Sequence, residues 1–425
     1  MPLLLTVFEE IVNLFRPIFH SNSIGGNRFG SLSPARPTGI ENAEIQGMFS
    51  APILPGDGRA APQRFRFLVL ASGLACLLAN PLQAAVPRGV FSLAAAGKET
   101  PDSVLTNPNV DGVSIRQDWA ELEASEGVFD FSFLDSEVAR AATAGKPVLL
   151  RIKTQSGKPA WVTNAVSAAG GSFFTFDDDG VSTTIPVFWD PTFLAKKKAM
   201  LVALGAHFTN NPTVKIVAVS FANANSEDWS VPHTEEEIAA WLAIGYTSDK
   251  LLNAGKEIIE TAMNAFPNQL LTLAVASDGR LDPDPDYVAR NAVLWARALW
   301  PGRLVVQKNN LATFNPAAPG LGTVFELLWD SRPDVAGQML WNCSSDPTYR
   351  MNAGVLGDPA TILHQSVNAG NAYGMNYLEI YQTDVVNLPN EIAYAHNLLL
   401  GLVPPTGTPP PATAPAPPTG LRIKP

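Results

Sequence analysis

The segment FANANSEDWSVPH, residues 221–233, follows directly on the apolar run VKIVAVS and carries groups that could do chemistry. Glu227 and Asp228 are carboxylates that can donate or accept a proton. Trp229 offers a flat apolar ring of the kind that packs against the C–H face of a sugar. A buried strand that ends in such a cluster either begins the next helix or presents a functional site, and we predict the site.

Two asparagines, Asn223 and Asn225, precede these carboxylates and are predicted to bind a polar substrate. The alternative interpretation of the same residues is that they cap the N-terminus of the next helix. Asn225 or Ser226 would then be the N-cap, and the two acids would stand in the first turn of the helix. The continuation WSVPH is typical of a loop and favours the site.

A second candidate acid is Glu379 in the segment NYLEIYQTD. Strand residues alternate in direction, so Tyr377, Glu379 and Tyr381 are expected to share one face. A glutamate inside an apolar strand is costly unless it is paired or used. We therefore expect Glu379 to be a functional acid or half of a structural ion pair, for which Arg116 or Arg151 could serve.

The elements that must position these residues alternate along the chain between strand-like and helix-like patterns. Near-continuous hydrophobic strands, each followed by an amphipathic helical stretch, indicate a parallel sheet covered on its outer face. Eight such repeats predict the α/β class and a (β/α)8 TIM barrel. An open doubly wound sheet is the alternative, but no glycine-rich nucleotide loop follows the first strand. The predicted strands are 89–94, 111–117, 147–153, 214–221, 270–276, 303–309, 337–343 and 375–382.

In a barrel of this type, chemistry collects where the strands end. Polar and aromatic side chains at those ends suit a ligand with many hydroxyl groups. The predicted substrate-binding residues are Arg116, Trp119, Arg151, Asn223, Asn225, Trp229, Gln307, Asn309, Trp341, Asp346 and Tyr381.

The segment RQDWAELEASEGVFDFSFLD, residues 116–135, has the order W-x-x-L-E-x-x-x-G-x-x-D-F-x-x-L-D. This order resembles the segment after strand two of the retaining, clan A glycoside hydrolase barrels, especially the β-galactosidase-like and cellulase-like members. The resemblance implies a TIM barrel, a glycosidase activity and a bracing role for Arg116 beside a catalytic carboxylate. It also implies a proton-donating glutamate after strand four and a nucleophilic glutamate after strand seven.

The sequence departs from that family at both catalytic positions. Ala224 stands where the family places its proton donor, and the first carboxylate after it is Glu227. Strand seven continues as MLWNCSSDPTYR, which contains Asp346 and no glutamate. We assign Glu227 as acid/base and Glu379 as nucleophile or its substitute, with Asp346 in reserve. Because Glu379 stands on strand eight, both retaining and inverting geometries stay open.

These assignments predict a secreted glycoside hydrolase that cleaves β-linked glycosides or polysaccharide, glucan or galactoside, with two carboxylates. The alternative is a carbohydrate-binding TIM barrel that has lost catalysis, and the two departures are its best support. A third interpretation, an anchored scaffold protein, depends only on the proline-rich tail.

The amino-acid composition of the chain limits which binding partners are expected. The net charge of −10 and the lack of a basic stripe exclude a nucleic acid as an expected partner. The five histidines lie far apart, so we predict no metal site and no cofactor. The expected partner is a carbohydrate substrate.

The chain is predicted to divide into four parts: an N-terminal extension (1–63), a signal peptide (64–85), the barrel domain (86–403) and a Pro/Thr-rich linker (404–425). Cleavage after Ala84 or Ala85 would give a secreted or periplasmic protein without stable membrane insertion. A membrane anchor or a lipid on Cys76 is the alternative. Met48 is a plausible true start, and the lead and the tail are expected to be disordered. Cys343, the only cysteine after the signal, is predicted to be a packed residue.

Overall fold

The computed structural model describes residues 85–154, 157–178, 181–219, 234–276, 286–316, 319–320 and 323–402. The predicted N-terminal extension and linker lie outside these residues, as does the predicted signal peptide apart from its last residue. In the described part of the chain, no helix has the length and apolar character that a membrane crossing requires.

Strands and helices follow one another in the predicted alternation. The strands are β1 (Gly89–Leu93), β2 (Gly112–Asp118), β3 (Val148–Lys153), β4 (Phe173–Asp178), β5 (Val181–Pro186), β6 (Val214–Val219), β7 (Leu270–Ala274), β8 (Leu304–Leu311), β9 (Val335–Met339) and β10 (Tyr377–Tyr381). The helices are α1 (Asp102–Leu105), α2 (Trp119–Leu122), α3 (Ser132–Thr143), α4 (Ala160–Ala168), α5 (Pro191–Phe208), α6 (Glu235–Ala243), α7 (Ser248–Ala265), α8 (Tyr287–Leu299), α9 (Val324–Asp330), α10 (Pro359–Ala372), α11 (Gln382–Asn387) and α12 (Pro389–Leu399).

Eight of the described strands close into a parallel barrel in the order β1, β2, β3, β6, β7, β8, β9, β10, with β10 pairing back to β1. Each of the eight predicted strands is one of these barrel strands, so the predicted (β/α)8 fold is confirmed. The sequence analysis missed β4 and β5, which pair as an antiparallel hairpin between α4 and α5. Their alternating β-branched and aromatic residues around DDDG are a typical hairpin signal.

The outer helices pack closely because their sequences place small residues where they meet. On α5, Gly205 faces α7, and a Cβ atom on Gly205 would lie 2.5 Å from the carbonyl oxygen of Ala265. Asp190 caps α5 by accepting from the Phe193 N–H at 2.9 Å, and Pro191 occupies the first turn. This helix therefore begins at a defined residue and covers β3 and β6 at a fixed distance.

Inside the barrel, side chains form layers because residues two apart on a strand face the same way. An apolar layer closes one part of the interior and consists of Phe91, Leu149, Ile216, Leu270, Val305, Ala336 and Tyr377. The next residues toward the C-terminal strand ends are polar. They form a buried layer that we call the polar layer, which comprises Ser114, Arg151, Thr272, Gln307, Gln338 and Glu379.

Candidate active site at the barrel mouth

We call the C-terminal ends of the barrel strands, with the loops that follow them, the mouth. The segment 220–233, which follows β6, lies outside the described residues. The predicted positions of Asn223, Asn225, Glu227 and Trp229 therefore stay predictions. The described part of the mouth is built mainly from the ends of β2, β3, β8, β9 and β10.

Glu379 lies at the centre of the polar layer with its side chain 0% exposed. Its Oε1 accepts a short hydrogen bond from Ser114 Oγ. Its Oε2 accepts from Arg151 Nη2 at 2.6 Å and from Gln307 Nε2 at 2.6 Å. The predicted pairing of Glu379 with an arginine is confirmed, and Arg151 is that arginine. The role of Glu379 as a catalytic acid stays a prediction.

Gln307 extends this network to two hydroxyl groups. Its Oε1 accepts from Tyr377 Oη at 2.9 Å and from Thr272 Oγ1 at 3.1 Å. Burial raises the pKa of Tyr377, and the negative charge of Glu379 raises it further. The phenol is therefore a fixed hydrogen-bond donor, and it holds the Gln307 amide in the orientation that donates to Glu379.

Arg151 and Gln307, two of the predicted substrate-binding residues, contact Glu379 in this structure. Both side chains are buried beneath the mouth and directed to Glu379. They are partners of a buried carboxylate, because an inward residue in the middle of a stave reaches the barrel axis and not the rim. Arg116 pairs in register with Arg151, but its Nε donates to the Ala94 carbonyl at 2.6 Å and holds the end of β1.

Trp119 was also predicted to contact substrate, and the structure places it in the core instead. Its Nε1 donates to Glu123 Oε2 at 2.7 Å, and its ring packs edge-to-face on Trp161 with centroids 6.0 Å apart. The other Glu123 oxygen accepts from the Gly127 N–H at 2.7 Å, and Gly127 has a φ of 76°. The W-x-x-L-E-x-x-x-G spacing thus encodes a hydrogen-bonded turn.

Trp341, one of the predicted substrate-binding residues, is an aromatic side chain at the mouth. It follows β9, is 36% exposed and lies with its ring centroid 5.7 Å from that of Tyr381 at the end of β10. The guanidinium of Arg350 lies 4.5 Å from the centroid of the Trp341 ring. Contacts with a phenol and a cation hold this ring in place at the mouth.

Two buried carboxylates hold the loop that carries Trp341. Asp384 accepts from the Cys343 N–H at 2.7 Å and from the Ser344 N–H at 2.8 Å. Burial, with the Asp384 charge beside it, raises the pKa of the Cys343 thiol, so this cysteine is a packed residue as predicted.

Asp346, the reserve catalytic candidate, is the other carboxylate of this loop. It accepts from Thr348 Oγ1 at 2.6 Å and from the Arg350 N–H at 2.7 Å. Burial raises the pKa of Asp346, but the hydrogen bonds from Thr348 and Arg350 outweigh it, and the net pKa lies below the ordinary value. Asp346 thus anchors the loop, and its predicted roles in catalysis and substrate binding stay predictions.

Asn309 and Gln338 lie where the polar layer meets the mouth, and each is 3% exposed. Asn309 Oδ1 accepts from Gln307 Nε2 at 2.6 Å. Asn309 was among the predicted binding residues, whereas Gln338 was missed. The alternation that places Glu379 inward could have found it, because Gln338 stands two residues after Ala336 of the apolar layer.

Comparison with known proteins gives one family. Residues 103–257 match the sequence model of glycoside hydrolase family 42, described as β-galactosidase. The resemblance to clan A glycoside hydrolases is therefore confirmed over residues 103–257, which form part of the barrel. A search of curated proteins finds no match.

Several solved structures resemble the fold at low identity. The catalytic domain of β-amylase from Paenibacillus polymyxa has 11% identity and a TM-score of 0.49, covering 75% of this chain and 100% of that one. A trimodular GH5_4 endoglucanase has 11% identity and a TM-score of 0.44, covering 74% and 59%. The β-galactosidase from Marinomonas ef1 has 12% identity and a TM-score of 0.37, covering 54% and 42%. The chain thus spans less than two thirds of the last two.

Proposed function

We propose that this chain is a glycoside hydrolase that cleaves β-linked glycosides, glucan or galactoside, at the barrel mouth. The observation that carries the proposal is the half-exposed Trp341 beside Tyr381 at the ends of β9 and β10. A rigid aromatic ring at the C-terminal end of a TIM barrel is suited to the apolar face of a pyranose. The family match over residues 103–257 supports the reaction class.

In this proposal the cleavage uses two carboxylates. Glu227, on the segment that follows β6, protonates the leaving glycosidic oxygen. Glu379 either attacks the anomeric carbon, which needs carboxyl groups about 5–5.5 Å apart, or activates a water at about 6.5–9.5 Å. The guanidinium of Arg151 lies 2.6 Å from Glu379 Oε2 and holds the carboxyl group of Glu379 in place.

One observation favours a second candidate, a barrel that binds carbohydrate without cleaving it. Glu379 is fully buried, and both of its oxygens already accept hydrogen bonds from Ser114, Arg151 and Gln307. A nucleophile must come within about 3–3.5 Å of the reacting carbon. Substrate does not come within that distance while Glu379 is enclosed as the structure shows, and Glu379 then serves as a structural charge.

Turnover and binding measured on the same samples separate the two candidates. Wild-type protein is assayed on aryl β-glucosides, aryl β-galactosides and β-glucan, and binding is followed by calorimetry. The enzyme proposal predicts turnover by the wild type and a loss of about 100-fold or more in Glu227→Gln and Glu379→Gln, with binding retained. Glu257→Gln is the matched control, because Glu257 lies on the outer face of α7 paired with Lys198.

Other results assign the chain differently. Binding without turnover in the wild type supports the carbohydrate-binding candidate. Turnover that Glu379→Gln leaves unchanged shows that Glu379 is structural and that another group is the second carboxylate. Absence of both binding and turnover on this panel contradicts the proposal.

We also propose that the protein is exported. The segment 64–85 has arginines, an apolar run and small residues, as a cleaved signal does. Expression from Met48 in a bacterial host, followed by mass spectrometry of the mature protein, should give an N-terminus at Ala85 or Val86. A chain that keeps residues 64–85 and stays in the cytoplasm contradicts export.

A further inference from the structure

Two buried amide groups at the base of the mouth have one polar atom each that is not satisfied. Among the described residues, Asn309 Nδ2 and Gln338 Oε1 have no hydrogen-bond partner. Both side chains are 97% buried. An unsatisfied buried donor or acceptor is costly, so such groups commonly have a ligand or an ordered water as partner.

The two atoms belong to neighbouring strands. In the parallel pairing of β8 with β9, Lys308 is opposite Gly337, and Asn309 and Gln338 are the next residues on each strand, where the register shifts between Lys308 and Leu311. Asn309 faces the interior because it accepts from Gln307, which itself donates to Glu379. Gln338 faces the interior because it stands two residues after Ala336 of the apolar layer.

The unsatisfied atoms are complementary, since one is a donor and the other an acceptor. A hydroxyl group satisfies both at once, because it can accept from Asn309 Nδ2 and donate to Gln338 Oε1. An anion would be repelled by the Gln338 oxygen, and a cation by the Asn309 N–H groups. The nearby charge is already compensated, because Arg151 pairs with Glu379 at 2.6 Å. The pair therefore matches a neutral alcohol.

We infer that Asn309 and Gln338 form a specificity site that binds one ring hydroxyl of the glycoside. This inference builds on the proposed function, because it assigns a polar contact to the proposed glycoside. A site built to hydrogen-bond a hydroxyl discriminates strongly against an analogue that lacks it, since the buried amides are then left unpaired. The Gln307 bond to Asn309 fixes the orientation of the Asn309 amide and presents its NH2 group to the ligand.

The test uses methyl β-D-glucopyranoside, methyl β-D-galactopyranoside and their monodeoxy analogues, with binding measured by calorimetry on the full chain. In the wild type, one deoxy analogue should bind about 10-fold or more weakly than its parent. Gln338→Met removes the acceptor, and Asn309→Asp removes the donor while keeping the oxygen that Gln307 needs. Each variant should bind the parent about 10-fold more weakly and no longer distinguish it from that deoxy analogue.

Gln269→Met is the matched control for loss of a buried amide. Gln269 lies next to the N-terminal end of β7 and donates to the carbonyls of Thr209 at 3.0 Å and Val214 at 3.3 Å. This variant should melt at a lower temperature yet keep the wild-type discrimination between parent and deoxy analogues. Discrimination that is lost equally in the control contradicts the inference.

Three further outcomes overturn it. If the wild type binds the parents and every deoxy analogue equally well, the hydroxyl site does not exist, while the proposed function stands. If a crystal structure with a bound glycoside shows only an undisplaced water between Asn309 and Gln338, the site is a water site. If the wild type binds and cleaves no glycoside, the inference and the proposed function fail together.

Discussion

Arg151 Nη2 lies 2.6 Å from Glu379 Oε2, in an ion pair that joins β3 to β10 inside the barrel. Both side chains are almost fully buried, so neither charge is stabilised by bulk water. Desolvation of such a pair is compensated only when further hydrogen bonds complete it, and Ser114 and Gln307 supply them here. The polar layer is therefore a single interdependent unit, and a change at one member is expected to affect the rest.

Breaking this pair should destabilise the fold. Glu379→Gln and Arg151→Met should each lower the free energy of unfolding by about 3–5 kcal/mol, because each leaves a buried group without its partner. The double variant should lose less than the sum of the two, since it leaves no unpaired charge. Urea denaturation of the four proteins measures this coupling, and additive losses would show that the two groups do not act as a pair.

The sequence was sufficient for the barrel because every stave carries the near-continuous apolar pattern of a parallel strand between two helices. It was not sufficient to predict how far along the barrel axis each inward side chain lies. Arg151 and Gln307 have the residue types and strand positions of ligand-binding groups, yet both point to Glu379. Which inward residues reach the mouth depends on the strand stagger, which pairing registers determine and which a single sequence does not display.

Lys197 on α5 should make stability depend on pH. Burial lowers the pKa of this lysine to about 7 from 10.5, and its Nζ has no hydrogen-bond partner among the described residues. The unfolded chain therefore binds a proton below about pH 10.5 that the folded chain binds only below about 7. Stability should rise as pH increases through this window, by about 1.4 kcal/mol per pH unit.

Lys197→Met should remove that dependence and raise the free energy of unfolding at pH 8. Lys198→Met is the adjacent control, because Lys198 is partly exposed and paired with Glu257. Urea denaturation between pH 7 and pH 10 follows both variants. A slope that persists in Lys197→Met, or disappears equally in Lys198→Met, would assign the pH dependence to other groups.

Trp341→Ala should weaken glycoside binding by about 10-fold, because it removes the ring that stacks on the sugar. Trp300→Ala is the matched control, since Trp300 packs on Trp295 close to the N-terminal end of β8, away from the mouth. Binding of methyl β-D-glucopyranoside or methyl β-D-galactopyranoside measures the effect. Equal affinity in Trp341→Ala and wild type would contradict a role of the Trp341 ring in glycoside binding.

Trp119→Phe should act on stability and not on binding. The change removes the hydrogen bond from Trp119 Nε1 to Glu123 in the core, which should cost about 1–3 kcal/mol of unfolding free energy. Thermal unfolding and glycoside binding, measured on one sample, separate the two effects. A variant that keeps its stability and loses affinity would restore Trp119 as a binding residue.

Trp119 and Trp341 show why the candidate site was only partly predictable. Both tryptophans stand within two residues of the end of a barrel strand, and their surroundings in the sequence are similarly mixed. Glu123 is four residues after Trp119 and accepts its N–H, which draws that ring into the core. At Trp341 the Asp384 and Asp346 carboxylates bind backbone N–H groups of the loop and leave the ring at the surface. These contacts join residues that the sequence does not mark as partners.

The most direct test of the central claim compares two leaving groups in Glu227→Gln. The 2,4-dinitrophenolate group of an aryl β-glycoside leaves without being protonated. The leaving sugar of a β-linked disaccharide needs a proton from the general acid. We expect the wild type to hydrolyse both substrates. Glu227→Gln should lose about 100-fold or more of kcat/KM on the disaccharide, with a much smaller loss on the aryl glycoside. Equal losses on the two substrates, or no hydrolysis of either by the wild type, would contradict it.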